Sequence, residues 1–203
     1  MKKIIETGVL VLAIVASFSA FRPNEVLSLG KKAPMEDLPL ADLDGKDQTL
    51  KTLKKEKGLL VIFSCNTCPF VLAWEDQYPE LGEMTEKFNI GMALVNSNEK
   101  KRQGDDSMAK MKAHAAEMNY KVPYLVDANS KLADAFGAKI TPHVFLFDEN
   151  MNLVYRGSIN DKYENKSKEA SKHYLKDALM QLSQGEEISK EDTREIGCSI
   201  KRV

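Results

Sequence analysis

The chain has 203 residues, of which 29 are Lys or Arg and 30 are Asp or Glu. That length is enough for one domain with a full hydrophobic core. The near balance of charge provides no field for attracting nucleic acid, so a nucleic-acid-binding function has no support. The chain has three cysteines, so at least one remains unpaired after a disulfide forms within the chain. The odd one is therefore either a free thiol or a reactive third partner.

The first 20 residues have the layout of a secretory signal peptide. Lys2 and Lys3 precede an apolar stretch over 8–16, and small residues follow it. The apolar stretch is too short to span a bilayer comfortably. Residues 1–20 are therefore predicted to be a signal peptide or an N-terminal anchor, with no other integral membrane domain, and the protein is expected in the periplasm or cell envelope. Residues 21–34 are predicted to be a polar linker.

Alternating strand and helix patterns predict one domain over residues 35–185, followed by a charged tail over 186–203. Asp44-Gly45 is a hairpin signal, and Pro79 and Gly82 are expected to bend or break a helix. The predicted elements in chain order are a hairpin over 38–46, a strand over Leu59–Phe63, a helix from Val71, a strand over Ile90–Val95, a helix over Asp105–Met118, a strand over Val122–Val126, a helix over Ser130–Phe136, strands over Val144–Phe147 and Leu153–Arg156, a loop over 160–167 and a helix over 168–182. This order predicts an α/β fold: a central mixed sheet flanked by helices, with an N-terminal β-hairpin extension.

The motif Cys65-Asn66-Thr67-Cys68-Pro69 directly follows the apolar strand. A strand that runs straight into a helix would expose the first sulfur at the helix N-terminus, where free N–H groups and the dipole favour a thiolate. The spacing therefore predicts thiol–disulfide exchange, with Cys65 as the attacking thiolate and Cys68 as the resolving thiol. Pro69 is tolerated because the first helical turn needs no N–H there.

Two other interpretations of the cysteines stay open. The pair can form a buried, inert disulfide, or it can supply half of a zinc site. Zinc prefers four ligands, and the remaining candidates are scattered along the sequence: Cys198, His114, His143 and His173. Cys198 can also resolve a disulfide formed at Cys65, or it can remain a free thiol in a mobile tail.

Three features together resemble the thioredoxin fold: C-x-x-C at a strand-to-helix junction, Thr141-Pro142 further along, and a hairpin after that proline. The closer resemblance, over residues from about 33 to 200, is to secreted redoxins of the alkyl hydroperoxide reductase/thiol-specific antioxidant type. It rests on the segments 42–46, 66–71, 96–98, 123–127, 154–157 and 197–201. The resemblance implies a cis Thr141–Pro142 bond, with Thr141 and Pro142 presenting backbone to an extended substrate chain. It implies no bound cofactor or metal, and as partners it implies protein thiols or disulfides and a further redox protein.

A thiol peroxidase is the nearest alternative within this resemblance. Peroxiredoxin-like proteins carry Thr or Ser three residues before the peroxidatic cysteine and Pro seven before it. With Cys68 as that cysteine, the two positions hold Cys65 and Val61; with Cys65, they hold Ile62 and Gly58. Neither register fits, which favours dithiol exchange over peroxide reduction.

A copper-binding protein on the same fold is the third interpretation. Two thiolates and His143, which follows Pro142, would suit Cu(I), because soft sulfur ligands favour that ion. Such proteins usually have three residues between their cysteines, whereas this chain has two.

The sequence departs from thioredoxins at two places. Leu59 occupies the position of their buried aspartate, so proton transfer to Cys68 needs another group, for which Glu56 and Glu75 are candidates, or water. The dipeptide Asn66-Thr67 matches neither reducing thioredoxins nor strong disulfide oxidants. The direction of electron flow is therefore left open.

Overall fold

The computed structural model describes residues 25–162 and 170–203. Its strands are β1 (Leu40–Ala41), β2 (Asp47–Gln48), β3 (Gly58–Ser64), β4 (Ile90–Asn96), β5 (Tyr124–Val126), β6 (Ile140–Thr141), β7 (His143–Phe147), β8 (Leu153–Gly157) and β9 (Cys198–Ser199). Its α-helices are α1 (Leu50–Leu53), α2 (Pro69–Leu72), α3 (Tyr78–Lys87), α4 (Met108–Glu117), α5 (Lys131–Phe136) and α6 (Tyr174–Gln184). Within these residues, no helix is both long and apolar enough to cross a bilayer.

The main sheet is mixed, as the sequence predicts. Over the described residues its strand order is β2-β1-β5-β4-β3-β7-β8. Strands β3, β4 and β5 run parallel, whereas β1, β2, β7 and β8 join their neighbours antiparallel. The strand that precedes the cysteines, β3, lies between β4 and β7, so the motif begins at the end of a central strand.

Apolar side chains pack on both faces of this sheet, and β3 and β4 are therefore buried along their whole length. Leu60 and Ile62 of β3 face the cluster that contains the cysteines and buried residues of α3, α4 and α6. Val61 and Phe63 face the opposite cluster, which includes residues of α1 and α5. Continuous apolar runs of this kind are expected for strands covered by helices on both sides.

The N-terminal hairpin is confirmed, and it joins the main sheet through β1 and β5. Its turn is stabilised by Asp42, which accepts backbone hydrogen bonds from Asp44 and Lys46 at 2.9 Å. The predicted break in the helix after the cysteines is also found. It lies between α2 and α3, where a 3₁₀ turn over Glu75–Gln77 leads into Pro79, and α3 continues through Gly82.

The other boundaries shift by a few residues. Helix α4 begins at Met108 rather than Asp105, and α6 begins at Tyr174. The predicted signal peptide lies outside the described residues, as do 21–24 of the linker and 163–169, which hold most of the predicted loop and the predicted start of the last helix.

The segments on either side of the central domain pack against it. In the linker, the Leu27 N–H donates to the Phe136 carbonyl at 2.9 Å, and Ala33 is buried. In the tail, β9 pairs antiparallel with β6, and Ile200 is only 6% exposed. The C-terminal residues therefore form part of the folded structure and come close to the cysteine motif.

Candidate functional site

The helix after the motif begins later than the sequence predicts. Strand β3 ends at Ser64, residues 65–67 form a turn, and Cys68 is the N-cap of α2 with Pro69 in the first turn. The prediction that the first sulfur lies at the helix N-terminus is therefore wrong, because that position belongs to Cys68. Both thiols are nearly buried, with Cys65 2% and Cys68 5% exposed.

The environment favours ionisation of Cys68. The contact with the Cys65 thiol is the main cause that lowers the pKa of Cys68 to about 5 despite its burial, and the Cys198 thiol and the backbone N–H groups of Val71 and Phe70 act in the same direction. The same pairing, together with burial, raises the pKa of Cys65 well above its ordinary value. The hydrogen bond between the two thiols therefore favours ionisation of Cys68 over that of Cys65, whereas the contact between Cys68 and the Thr141 carbonyl is a hydrogen bond only while Cys68 is protonated.

Thr141 contacts both sulfurs. Its Oγ1 lies 3.3 Å from Cys65 Sγ, and its carbonyl accepts a hydrogen bond from protonated Cys68 at 3.2 Å. The Thr141–Pro142 peptide bond is cis, as predicted. The four predicted site residues, Cys65, Cys68, Thr141 and Pro142, are therefore brought together at one end of the sheet.

The backbone edge at Thr141 is not open in this structure. Thr141 pairs with Cys198 and Ile140 with Ser199, so β9 covers the edge expected to receive a substrate chain. Cys198 is partly exposed and packs against the apolar cluster that contains Cys65 and Cys68. Burial and its contact with Cys68 raise the pKa of Cys198 to about 11.

A buried polar network, which lies outside the motifs of the sequence, holds the turn of the motif in place. The Asp106 carboxylate accepts hydrogen bonds from the Asn66 backbone N–H at 2.9 Å and from the side-chain amides of Asn96 and Asn98 at 2.8 and 3.0 Å. The Tyr124 hydroxyl donates to Asn66 Oδ1 at 3.0 Å. The signal available in the sequence was the cluster of polar residues directly after β4.

The two candidate proton donors lie in different places. Glu56 accepts a hydrogen bond from Asn89 at an exposed position. Glu75 is buried directly after α2, where it accepts from Tyr120 at 2.6 Å and pairs with His114 at 2.7 Å. Leu59 is buried in the cluster on the face of the sheet away from the cysteines. Position 59 therefore supplies no acidic side chain to the cysteines.

His143 does not approach the cysteines. It pairs with Phe63 in the sheet register and lies 4.4 Å, centroid to centroid, from the Phe145 ring, on the face opposite the motif. Burial lowers the pKa of His143 to about 3. Among the described residues no cluster of three or more His, Cys, Asp or Glu side chains is arranged to hold a metal. The geometry thus gives no support to a zinc or copper site that uses His143.

Comparison with known proteins identifies the family. A family model described as Redoxin matches residues 28–173, which is more than half of the chain. The chain belongs to the Redoxin family. No curated protein matches this Redoxin.

Solved structures share the fold of this Redoxin. It is similar to an uncharacterized conserved protein from Geobacillus kaustophilus, with a TM-score of 0.82 and 30% identity over 90% of this chain and 96% of that one. A hypothetical protein from Sinorhizobium meliloti 1021 matches with a TM-score of 0.81 and 28% identity over 89% and 98% of the two chains. Peroxidoxin BcpB from Mycobacterium tuberculosis, at 16% identity, matches 77% of this chain and 96% of that one with a TM-score of 0.58. The thioredoxin-like α/β fold is thereby confirmed.

Proposed function

We propose that this Redoxin is a thiol–disulfide oxidoreductase that exchanges disulfides with partner proteins through Cys65 and Cys68. The observation that carries the proposal is the pair itself: two thiols in hydrogen-bonding contact, one of them the N-cap of α2. Disulfide exchange requires an attacking thiolate and a second thiol close enough to resolve the mixed disulfide.

We infer that the roles of the two cysteines are the reverse of those that the sequence predicts, because Cys68, and not Cys65, is the N-cap of α2. Cys68, as the thiolate, attacks one sulfur of a partner disulfide and forms a mixed disulfide, and the first partner sulfur leaves as a thiolate. Cys65 then loses its proton, attacks Cys68 and releases the second partner thiol. The protein ends with a Cys65–Cys68 disulfide and the partner is reduced by two electrons. The reverse sequence oxidises a partner dithiol.

Residues on the rim of the site are available to a partner. Thr67 and Pro69 are exposed on either side of buried Cys68, and Leu72 of α2 is 49% exposed. A partner chain that contacts this rim approaches the Cys68 sulfur without unfolding β3.

Export to the periplasm or cell envelope is part of the proposal and rests on residues 1–20 alone. Fractionation of cells that carry the full chain, with and without those residues, tests it.

A redox titration tests the exchange function. The Cys198→Ser variant is equilibrated with glutathione buffers, quenched with acid and mapped by mass spectrometry, so that Cys65 and Cys68 are the only thiols left. We expect one reversible two-electron transition with a Cys65–Cys68 disulfide as its product. The Cys65→Ser/Cys198→Ser double variant is the control, in which Cys68 can form only a mixed disulfide with glutathione and no intramolecular disulfide. Failure of the pair to form a disulfide in any buffer would overturn the proposal.

A further inference from the structure

The C-terminal strand β9 occupies the place in which a substrate chain is expected. It pairs antiparallel with β6, with Thr141 opposite Cys198. The Thr141 carbonyl also lies 3.2 Å from Cys68 Sγ. Thr141 therefore contacts Cys68 on one side and pairs with Cys198 on the other, so the third thiol lies next to the site.

Gly197 makes this close approach feasible. A Cβ atom at position 197 would lie 2.3 Å from the Thr141 carbonyl oxygen, a distance that no side chain tolerates. After Cys198, the Lys201 backbone N–H donates to Asn98 Oδ1 at 2.8 Å, and the buried Ile200 anchors the segment. The strand is therefore fixed on both sides of the cysteine.

We propose that Cys198 is a third redox-active cysteine. It forms a disulfide with Cys68 in the place that the sulfur of a partner protein would otherwise take. This inference rests on the proposed exchange function. Starting from the Cys65–Cys68 disulfide, the Cys198 thiolate attacks Cys68 Sγ, a Cys68–Cys198 bond forms, and Cys65 leaves as a thiolate that takes up the proton Cys198 has released. One disulfide is broken and one is made, so no external oxidant or reductant enters the step.

The consequence is a disulfide that moves between a buried and an accessible position. Cys65 and Cys68 are 2% and 5% exposed, whereas Cys198 is partly exposed. A partner thiol reaches Cys198 more readily than the inner pair, because attack on a disulfide requires access to its sulfur. The same bond ties β9 to the start of α2 and keeps the Thr141 edge covered until a reductant releases it.

Two variants test the proposal. In Cys65→Ser, oxidation with one equivalent of diamide should consume both remaining thiols and give an intramolecular Cys68–Cys198 disulfide, detected by acid quench and peptide mapping. Wild-type protein treated in the same way should contain both the Cys65–Cys68 and the Cys68–Cys198 species. Absence of the Cys68–Cys198 bond from both proteins would overturn the inference. If Cys65–Cys68 still forms in the Cys198→Ser variant, the exchange function survives that result.

Gly197→Ala tests the role of strand position. In the Cys65→Ser background it should lower the yield of Cys68–Cys198 by about tenfold or more, because disulfide geometry is narrow. With all three cysteines present, Gly197→Ala should still form Cys65–Cys68, and its circular dichroism spectrum should match that of the wild type, which shows that the variant folds. Gly104→Ala is the matched control, since a Cβ there meets nothing closer than 3.7 Å. An unchanged Cys68–Cys198 yield in Gly197→Ala would contradict the proposed role of β9.

Discussion

At the scale of single residues, the site depends on a buried carboxylate that no motif reveals. Asp106 is fully buried and accepts hydrogen bonds from Asn66, Asn96 and Asn98. The bond to the Asn66 N–H fixes the turn between the two cysteines. Asp106 is therefore a positioning residue, because it acts on the sulfurs through the backbone of the motif.

Replacing Asp106 should destabilise the protein and loosen the turn. Asp106→Ala leaves three buried donors without their acceptor, and we expect a loss of about 2–4 kcal/mol in the free energy of unfolding, measured with urea. Asp105→Ala is the control. Its carboxylate pairs with Lys101 and Lys110 at the surface, so its loss should stay within about 0.5 kcal/mol. Equal losses in the two variants would contradict the assigned role of Asp106.

The sequence predicts which residues meet at the site better than it predicts what each one does. The C-x-x-C pair and Thr141-Pro142 are recognised from spacing, and the structure brings them together. The roles that the sequence predicts for the cysteines require β3 to run directly into a helix. Instead the turn reaches across to Asp106, 40 positions from Asn66, and the helix begins one turn later. A contact so distant in sequence leaves no local pattern.

At the scale of elements, the break between α2 and α3 brings a buried carboxylate into contact with a partly exposed histidine. The 3₁₀ turn places Glu75 in the interior, where it meets His114 of α4 at 2.7 Å. The hydrogen bond that His114 donates to the Glu75 carboxylate raises the pKa of His114, against the opposing effect of burial. Pro79 predicts that a break occurs, but the sequence gives no sign that an acidic residue turns inward there.

This pair makes stability depend on pH. The pKa of His114 is raised in the folded protein, so its contribution is complete below the unfolded value of about 6.5 and is lost as the pH rises through the folded pKa. As the pH rises above about 6.5, this contribution to the free energy of unfolding should be lost, so the difference in that free energy between wild type and His114→Gln should shrink by roughly 0.5–1 kcal/mol. The control is His173→Gln, at an exposed position. An unchanged slope in His114→Gln would contradict the pairing.

At the scale of the whole molecule, the order of strands and helices follows from the sequence, whereas the docking of its two ends does not. Apolar runs over 59–63 and 90–95 predict central strands covered on both faces, and β3 and β4 match them. The tail is rich in charged residues and has no hydrophobic periodicity, so its sequence predicts a solvated extension. Its few apolar side chains nevertheless pack on the domain, among them Ile188 and Ile200.

The tail should contribute to the stability of the whole fold. Ile200 is 6% exposed and lies in the cluster on the face opposite the cysteines. We expect Ile200→Ala to lower the free energy of unfolding by about 2–3 kcal/mol, because it removes buried methyl groups and leaves a cavity. Val203→Ala, at a position 90% exposed, should change it by less than about 0.5 kcal/mol. Calorimetric unfolding of both variants measures the difference, and equal melting temperatures would show that the tail does not pack.

The assignment of Cys68 as the thiolate is the central claim about this Redoxin, and its alkylation rate tests that claim most directly. Reduced wild-type protein is treated with iodoacetamide between about pH 4 and pH 9, and the modified cysteine is located by peptide fragmentation. The account predicts that Cys68 reacts with a midpoint near its pKa of about 5, while Cys65 stays unmodified over the same range. Reaction of Cys65 ahead of Cys68, or a Cys68 midpoint near the ordinary thiol value of 9.0, would contradict it.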